Sequence, residues 1–312
     1  MVRCSISGAS VLMKTPELTY IVTSYNYGNF LNENLTSLCR QWTEETPFNV
    51  LVVDDGSIDD SINIINSYLN KYNFVTLLTH PGNKNEGLIN SMKLAINAVE
   101  TPWVAFLESD DFSKAGSVQR LLEKTKEEAG IVFCNIEPVG LNNDDSNWFQ
   151  SYVPRVCKKM LELRANVQPV NLDFLILTEN LIPTFSCAAV KTKLLREVNF
   201  NSPVPEWIDW YLWIQICQKT KVSFIADRLV FWRQHSDSLN RKKSIFQYIC
   251  KYSRFRREVR RLLACSETEH KCYKIAYLYL PSFLPLFIRF LKMSRFSGCR
   301  SVLNKLIGRL KK

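Results

Sequence analysis

Acidic residues cluster directly after two apolar runs of the chain, FNVLVV and WVAFL. The carboxylates at these two places are Asp54, Asp55, Glu108, Asp110 and Asp111. Carboxylates that converge in one crevice repel one another unless cations or hydrogen-bond donors compensate them. Such a cluster suits a hard divalent cation, Mn²⁺ or Mg²⁺, whose remaining ligands are commonly substrate phosphates. The alternative is that these aspartates only cap the helices that follow them.

The first 135 residues have the pattern of a scaffold that would bring these carboxylates together. Buried strands are predicted at 18–23, 48–53, 74–78, 103–107 and 130–134. Between them, apolar residues at helical spacing predict helices of about 10–15 residues. This alternation indicates an α/β fold with a mostly parallel central sheet covered by helices on both faces. Ligands of such sheets bind beyond the carboxyl ends of the strands, where the carboxylates are expected.

The chain after residue 135 has a weaker pattern. The segment 136–180 is irregular, with a polar loop at 142–147. Strands are predicted at 184–190 and 222–226, and a helix at 208–219.

The sequence lacks the signature motifs of several enzyme classes. No GxGxxG follows the first strand and no GxxxxGK[S/T] occurs, which disfavours dinucleotide-dependent dehydrogenases and P-loop NTPases. No GxSxG occurs, which disfavours an α/β-hydrolase. The ten cysteines form no CxxC pair and no zinc-like spacing, which favours buried reduced thiols over disulfides.

The net charge of +10 is concentrated at the C-terminal end. Residues 1–240 carry 21 Lys and Arg against 27 Asp and Glu, whereas residues 241–312 carry 19 against 3. Apolar residues at steps of three and four over 244–263, with basic residues between them, predict a basic amphipathic helix. The pattern returns at 302–310.

A helix of this kind typically lies on an anionic membrane, and we expect peripheral attachment of this tail to the cytoplasmic face. Two alternatives are that the apolar stripe packs on the acidic body and that the basic stripe binds nucleic acid, which we consider unlikely. No apolar stretch reaches the roughly 18–20 residues that span a bilayer, and no secretory signal is evident.

Four segments resemble family 2 glycosyltransferases of the GT-A fold and occur in the family's order. They are YIVTSYNYGNFLNENLTSLCRQ, NVLVVDDGSIDDS, NEGLINSMKLAINAVETPWVAFLESDD and WIDWYLWIQICQKTKVSFIADRLVFWRQHSDSL. The resemblance implies a GT-A domain over 18–240, with a nucleotide-sugar half at 18–135 and an acceptor half at 136–240. Residues 1–17 then form an N-terminal extension, and residues 241–312 a helical basic amphipathic tail.

The resemblance also implies residue roles. The residues expected to bind the nucleotide sugar are Thr23, Tyr25, Asn26, Asp54, Asp55, Glu108, Ser109 and Arg233. Those expected at a Mn²⁺ or Mg²⁺ ion are Asp110, Asp111 and His235. Asp209 is the expected catalytic base, which takes the proton of the acceptor hydroxyl.

These roles imply an inverting, metal-assisted transfer from a nucleotide-diphosphate sugar, expected to be UDP-linked. The expected acceptor is a hydroxyl of a glycan or lipid-linked molecule, in the synthesis of a cell-surface polysaccharide such as capsule or O-antigen. The alternative is an inactive nucleotide- or glycan-binding relative tethered to the membrane.

The chain departs from the family's pattern at two positions. Glu108 stands where an aspartate is usual, and Ile208 precedes the expected base where many members have an acid, for which Glu206 is a candidate substitute. His80 and His270 match no motif. The tryptophans at helical spacing are predicted to be core residues, with one ring as a candidate for the acceptor sugar; they are Trp207, Trp210 and Trp213.

Overall fold

A single mixed sheet forms the centre of the computed structural model, which describes residues 14–140, 146–164, 169–235 and 245–264. Its eight strands within these residues run in the order β3-β2-β1-β4-β7-β6-β8-β5. They are β1 (Leu18–Ser24), β2 (Asn49–Asp54), β3 (Val75–Thr79), β4 (Trp103–Phe106), β5 (Phe112–Ser113), β6 (Ile131–Val139), β7 (Ala188–Lys191) and β8 (Val222–Arg233). The α-helices are α1 (Gly28–Cys39), α2 (Ser61–Lys71), α3 (Leu88–Ala98), α4 (Ser117–Lys124), α5 (Ser146–Arg164), α6 (Leu175–Thr178), α7 (Thr192–Arg196), α8 (Ile208–Cys217) and α9 (Ile245–Ala264).

The N-terminal half of the sheet is parallel and reverses its strand order between β1 and β4. β1 pairs in parallel with β2 on one side and with β4 on the other, and β3 extends the sheet beyond β2. Right-handed crossovers place α1 and α2 on one face and α3 on the other. In agreement, α1 contacts α2, whereas α3 packs on β1 and β2. The crevice beyond β1 and β4 is therefore the expected ligand position.

The C-terminal half of the sheet is mixed. β7 runs antiparallel to β4 and β6, while β8 runs parallel to β6 with a register shift between Cys134 and Ile136. Four of the seven pairings among the described strands are parallel, and the predicted α/β class is confirmed. The five strands predicted in the first 135 residues are also confirmed, and they are β1, β2, β3, β4 and β6.

Three expectations for the second half need correction. The segment 136–180, which had no regular pattern, contains the 19-residue helix α5, and Pro154 lies inside it. The predicted strand 184–190 begins only at Ala188, because a 3₁₀ turn, Phe185–Cys187, precedes it. The strand predicted at 222–226 is longer than expected and continues to Arg233 as β8.

The basic amphipathic helix forms as α9, and its apolar stripe faces the protein. Tyr252, Phe255, Val259 and Leu263 are buried. The Phe255 ring lies 4.9 Å from that of Trp210 on α8, at an interplanar angle of 28°. The packing alternative therefore applies to the part of this helix from Tyr252 to Leu263, where these four apolar side chains are not available to lipid.

The rest of the predicted tail, including the repeat at 302–310 and His270, lies outside the described residues. Within the described part of the chain, none of the helices has the length and apolar character needed to cross a membrane. Trp210 and Trp213 are buried core residues, as predicted.

Candidate active site

The turns after β1 and β2 are tied together at the start of the crevice. Asn26 adopts a left-handed backbone conformation with φ 57°. Its N–H donates to Ser57 Oγ at 2.9 Å, and its Oδ1 accepts from the N–H of Ile58 at 2.9 Å. Beside it the Tyr25 side chain is exposed. Tyr25 is thus open to a ligand, whereas Asn26 already links two turns.

The two aspartates after β2 are buried and shape these turns. Asp54 Oδ2 accepts from the N–H of Gly56 at 3.1 Å and of Ser57 at 2.9 Å. Asp55 accepts from the N–H groups of Glu86 and Gly87, at 2.8 and 2.9 Å. Asp54 therefore stabilises its own turn and Asp55 the loop before α3, whereas the helix α2 that follows them has no side-chain cap. Contact of either aspartate with the nucleotide remains a prediction.

The loop before α3 closes tightly on the turn after β2. Gly56 has φ +80°, and a Cβ there would lie 2.6 Å from the carbonyl oxygen of Asn83. His80 lies on the same loop, with Nε2 2.9 Å from Ser91 Oγ and 3.4 Å from Asp55 Oδ1. His80, which matched no motif, therefore helps to hold this loop.

The backbone after β4 is held against β1 and α1. Ser109 Oγ donates to the carbonyl of Thr23 at the end of β1. Asn34 Nδ2 donates to the carbonyls of Glu108 and Asp111 at 2.8 and 2.9 Å. Thr23 and Ser109 thus stand together at the strand-order reversal, as the sequence predicted from their places in the sheet.

Hydroxyl groups from the turn before β7 hold the side chains of two carboxyls. Thr184 Oγ1 donates to Glu108 Oε2 at 2.5 Å, and Ser186 Oγ donates to Asp111 Oδ2 at 2.5 Å. Ser186 Oγ also accepts from the Glu108 N–H at 2.9 Å. The remaining Asp111 oxygen, Oδ1, accepts from the backbone N–H of Arg233 at 2.9 Å.

This arrangement changes the role of Asp111. Its side chain is buried, with a residue exposure of 1%, and protein donors meet both oxygens. The predicted metal-ligand role does not fit this geometry, because the carboxylate points into the protein. Asp111 instead positions the end of β8, from which Arg233 extends.

Two carboxyls after β4, Glu108 and Asp111, have raised pKa values. Burial raises the pKa of Glu108 to about 8, and the charges of Asp110 and Asp209 act in the same direction. Burial also raises the pKa of Asp111 well above its usual range, helped by the charges of Asp110 and Glu108. Carboxyls whose pKa is raised by burial and by like charges are the groups that a bound cation would ionise, so this cluster is a favourable place for one.

Asp110 lies at the open side of this group with two basic residues. His235 Nε2 is 3.0 Å from Asp110 Oδ2, and Arg233 Nε donates to the Asp110 carbonyl at 2.8 Å. The Arg233 guanidinium lies between the Phe30 and Phe112 rings, 5.0 and 5.1 Å from their centres. The structure therefore brings the closing Arg-x-His segment to the acidic cluster.

The residues of this site can be compared with the ligands that a divalent cation needs. In the described ranges, His, Cys, Asp and Glu nowhere form a group of three arranged to hold a metal. Asp110 and His235 nevertheless offer an oxygen and a nitrogen ligand at one point, beside the Glu108 carboxyl, whose charge acts together with that of Asp110. Mg²⁺ and Mn²⁺ commonly take only one or two protein ligands when phosphates complete the shell, so these two residues fit a cation shared with substrate.

Asp209 approaches the same cluster from the first turn of α8. Its Oδ2 accepts from Asn180 Nδ2 at 3.0 Å, and its Oδ1 from the N–H of Trp210 at 2.7 Å. Burial raises the pKa of Asp209 to about 7, despite these hydrogen bonds. A carboxyl with a pKa near neutrality suits proton abstraction at physiological pH.

Glu206, the candidate substitute for the acid before the base, contacts the tail helix. Its Oε1 lies 2.5 Å from Lys251 Nζ on α9, so this carboxylate already has a cationic partner on the tail helix. Ile208, at the position of the departure, is buried.

Sequence reasoning missed the polar residues that hold the carboxyls. Thr184, Ser186 and Asn180 lie between the motifs, 29 to 78 residues along the chain from their partners. The only available signal was a hydroxyl-rich TFS segment before an apolar run, which is common in proteins.

Comparison with known proteins gives a consistent result. The model of the family described as Glycosyl transferase family 2 matches residues 19–198, more than half of the chain. Glycosyltransferase GlyG of Streptococcus pneumoniae is 26% identical over 229 residues, which cover 72% of this chain and 73% of GlyG. A teichoic acid poly(glycerol phosphate) polymerase of Staphylococcus epidermidis is 31% identical over 120 residues, or 37% of this chain, but only 16% of the polymerase's length.

Solved structures share the fold at low sequence identity. A crystal structure of S. aureus TarS with UDP-GlcNAc superposes with a TM-score of 0.64 at 19% identity, covering 90% of this chain and 74% of that one. The mannosyltransferase PcManGT of Pyrobaculum calidifontis, in complex with GDP-Man and Mn²⁺, gives a TM-score of 0.58 at 14% identity, covering 96% and 81%. These similarities show a common GT-A architecture.

Proposed function

The chain belongs to glycosyl transferase family 2 and is an enzyme of that family, and from this premise we propose that it transfers a sugar from a nucleotide-diphosphate donor to an acceptor hydroxyl with inversion. The observation that carries this proposal is the convergence of Glu108, Asp110 and Asp209 beyond β1 and β4. That crevice is where a parallel sheet of this order binds its ligand.

Asp209 is the proposed catalytic base. Its carboxylate would accept the proton of the acceptor hydroxyl while that oxygen attacks the anomeric carbon and the nucleoside diphosphate leaves from the opposite side. A pKa of about 7 leaves a large fraction ionised at neutral pH while keeping the group basic enough to take a proton. Asn180 holds the carboxylate in place through its amide.

The donor is proposed to lie along the turns after β1, β2 and β4. Thr23, Tyr25 and Asp55 border the proposed position of the nucleoside, and Arg233 borders that of the diphosphate. Because TarS, which shares the fold, is solved with UDP-GlcNAc, a UDP-linked sugar is the first donor to test.

A divalent cation at Asp110 and His235 would neutralise charge that develops on the departing diphosphate. The cation is expected to be Mn²⁺ or Mg²⁺, because the Asp110 carboxylate and the phosphate oxygens of the donor are the hard oxygen ligands that these ions take. Glu108 would contribute negative charge beside the ion without needing to bind it directly.

We place the reaction in the synthesis of a cell-surface glycopolymer. Relatives whose printed names are teichoic acid poly(glycerol phosphate) polymerase and poly(ribitol-phosphate) β-N-acetylglucosaminyltransferase support this step. The acceptor would be a glycan or a lipid-linked precursor, met at the cytoplasmic face of the membrane.

Residues 241–312 are proposed to attach the enzyme to anionic lipid. Because the apolar stripe of α9 is buried, this helix would contribute through its exposed Arg254 and Arg257 rather than by insertion. Attachment of this kind is electrostatic and should weaken as salt rises.

The test is release of nucleoside diphosphate from UDP-GlcNAc and other donors, with Mn²⁺ and with EDTA. Wild type and Asp227→Asn, which changes an exposed carboxylate paired with Arg120, should turn over alike. Asp110→Asn should lose at least about tenfold, because it removes the proposed carboxylate ligand. Equal turnover by all three proteins, or full turnover in EDTA, would refute the proposed cation site.

A further inference from the structure

The Arg233 side chain is held in one plane by rigid neighbours. Its Nε donates to the Asp110 carbonyl at 2.8 Å, and its guanidinium lies between two aromatic rings, Phe30 and Phe112. Its backbone N–H is fixed by Asp111. The direction of the guanidinium is therefore set before any ligand arrives.

Arg233 has one further partner, Glu33, which is less firmly held than the others. Glu33, on the exposed side of α1, accepts a hydrogen bond from Arg233 Nη2 through its Oε2. The Glu33 side chain is 54% exposed, against 22% for Arg233. Glu33 can leave this contact for water by rotating its own side chain, whereas Arg233 cannot move away without losing its other contacts.

We propose that Glu33 is an internal counter-ion of Arg233 that the diphosphate of the donor displaces. This proposal rests on the proposed function, which places the diphosphate at Arg233. An oxygen of the diphosphate would take the Nη2 donor that Glu33 releases, so the number of charge-assisted hydrogen bonds to the guanidinium is conserved. Without Glu33, donor and product would bind without this exchange.

The exchange lowers affinity for the nucleoside diphosphate by a small and measurable factor. An exposed ion pair contributes little free energy, so breaking one changes a dissociation constant by about two- to fivefold. Glu33→Gln should therefore bind the diphosphate about two- to fivefold more tightly than wild type, by calorimetry with Mn²⁺ present. The probe is whichever of UDP, GDP and CDP binds wild type most tightly.

A second variant separates the contact from the long-range charge. Glu33→Asp keeps the negative charge but is one methylene shorter, so it cannot reach a guanidinium that Phe30 and Phe112 hold in place. If the diphosphate displaces Glu33, the affinity of Glu33→Asp for the nucleoside diphosphate should rise above that of wild type by most of the amount seen for Glu33→Gln. Wild-type affinity in Glu33→Asp would show that only the charge of Glu33 matters and would overturn the proposal.

Two controls complete the experiment. Glu123→Gln removes the glutamate of another exposed Arg–Glu pair, that with Arg120, and should leave affinity unchanged. In an Arg233→Gln background, Glu33→Gln should give no gain, because the partner is gone. A gain that persists there would also overturn the proposal.

The outcomes distinguish this inference from the proposed function. If wild type binds a nucleoside diphosphate and Glu33→Gln matches it within error, the counter-ion role is wrong and the proposed function stands. If wild type binds none of the three nucleotides, both are wrong.

Discussion

Replacing Phe255 with alanine tests whether the basic helix α9 belongs to the folded body. The Phe255 side chain is fully buried, and its ring packs on those of Trp210, Trp207 and Tyr211 at 4.9, 5.5 and 6.1 Å. Removing a buried phenylalanine ring costs about 3–5 kcal/mol of unfolding free energy. Three aromatic neighbours place Phe255→Ala in the upper half of this range.

Equilibrium unfolding in urea, followed by tryptophan fluorescence, measures this loss. With an m value of about 3 kcal/mol per molar urea, a loss of about 4–5 kcal/mol lowers the midpoint by about 1.3–1.7 M. Trp207 and Trp210 lie against the ring and report the same event. Arg254→Ala, an exposed change on the same helix, should alter stability by no more than about 0.5 kcal/mol.

The opposite outcome would contradict the observed packing. If Phe255→Ala left the urea midpoint unchanged but abolished binding to anionic liposomes, the apolar face of α9 would meet lipid instead of the body. The packed arrangement predicts that liposome binding depends on salt and on Arg254, and only weakly on Phe255 in the folded protein.

Three further predictions concern the site. Because the Asp209 base must be ionised and burial raises its pKa to about 7, kcat/KM should rise about tenfold per pH unit below that value, and a flat profile between pH 5 and 7 would contradict its role. Gly56→Ala should destabilise the protein by at least about 1 kcal/mol in a denaturant titration, since its φ is +80° and a Cβ would meet the Asn83 carbonyl; unchanged stability would refute the tight loop contact. Ser186→Ala should leave Asp111 Oδ2 without a donor and weaken nucleotide binding by about tenfold in calorimetry, whereas wild-type affinity would show that the Ser186 hydroxyl does not support the site.

The sequence predicts the strand ends well because the signal there is local. Buried parallel strands are continuous apolar runs, so the first polar residues after them, such as Asp54 and Glu108, mark the carboxyl edge. The strand-order reversal between β1 and β4 then brings these edges together. Asp209 is predicted from a motif, and its charge acts on Glu108 in the structure.

The positioning contacts could not be predicted because they depend on tertiary approach. Ser186 meets Asp111 across 75 residues of chain, through a turn that the apolar pattern assigned to a strand. Asp111 was predicted to be a cation ligand because its position in the sequence does not show in which direction its side chain points. The helix α5 was missed because Pro154 disfavours a helix interior, although Tyr152, Val156 and Met160 form a buried stripe at steps of four.

Turnover and donor binding of Asp209→Asn, measured on the same protein, test the central claim most directly. Loss of a catalytic base predicts a kcat at least about 100-fold lower than that of wild type, with the dissociation constant for the nucleotide sugar changed by no more than about twofold. The asparagine keeps the shape of the side chain, so Asn180 can retain a hydrogen-bond partner. Wild-type turnover by Asp209→Asn, or equal losses of turnover and donor binding, would contradict Asp209 as the base.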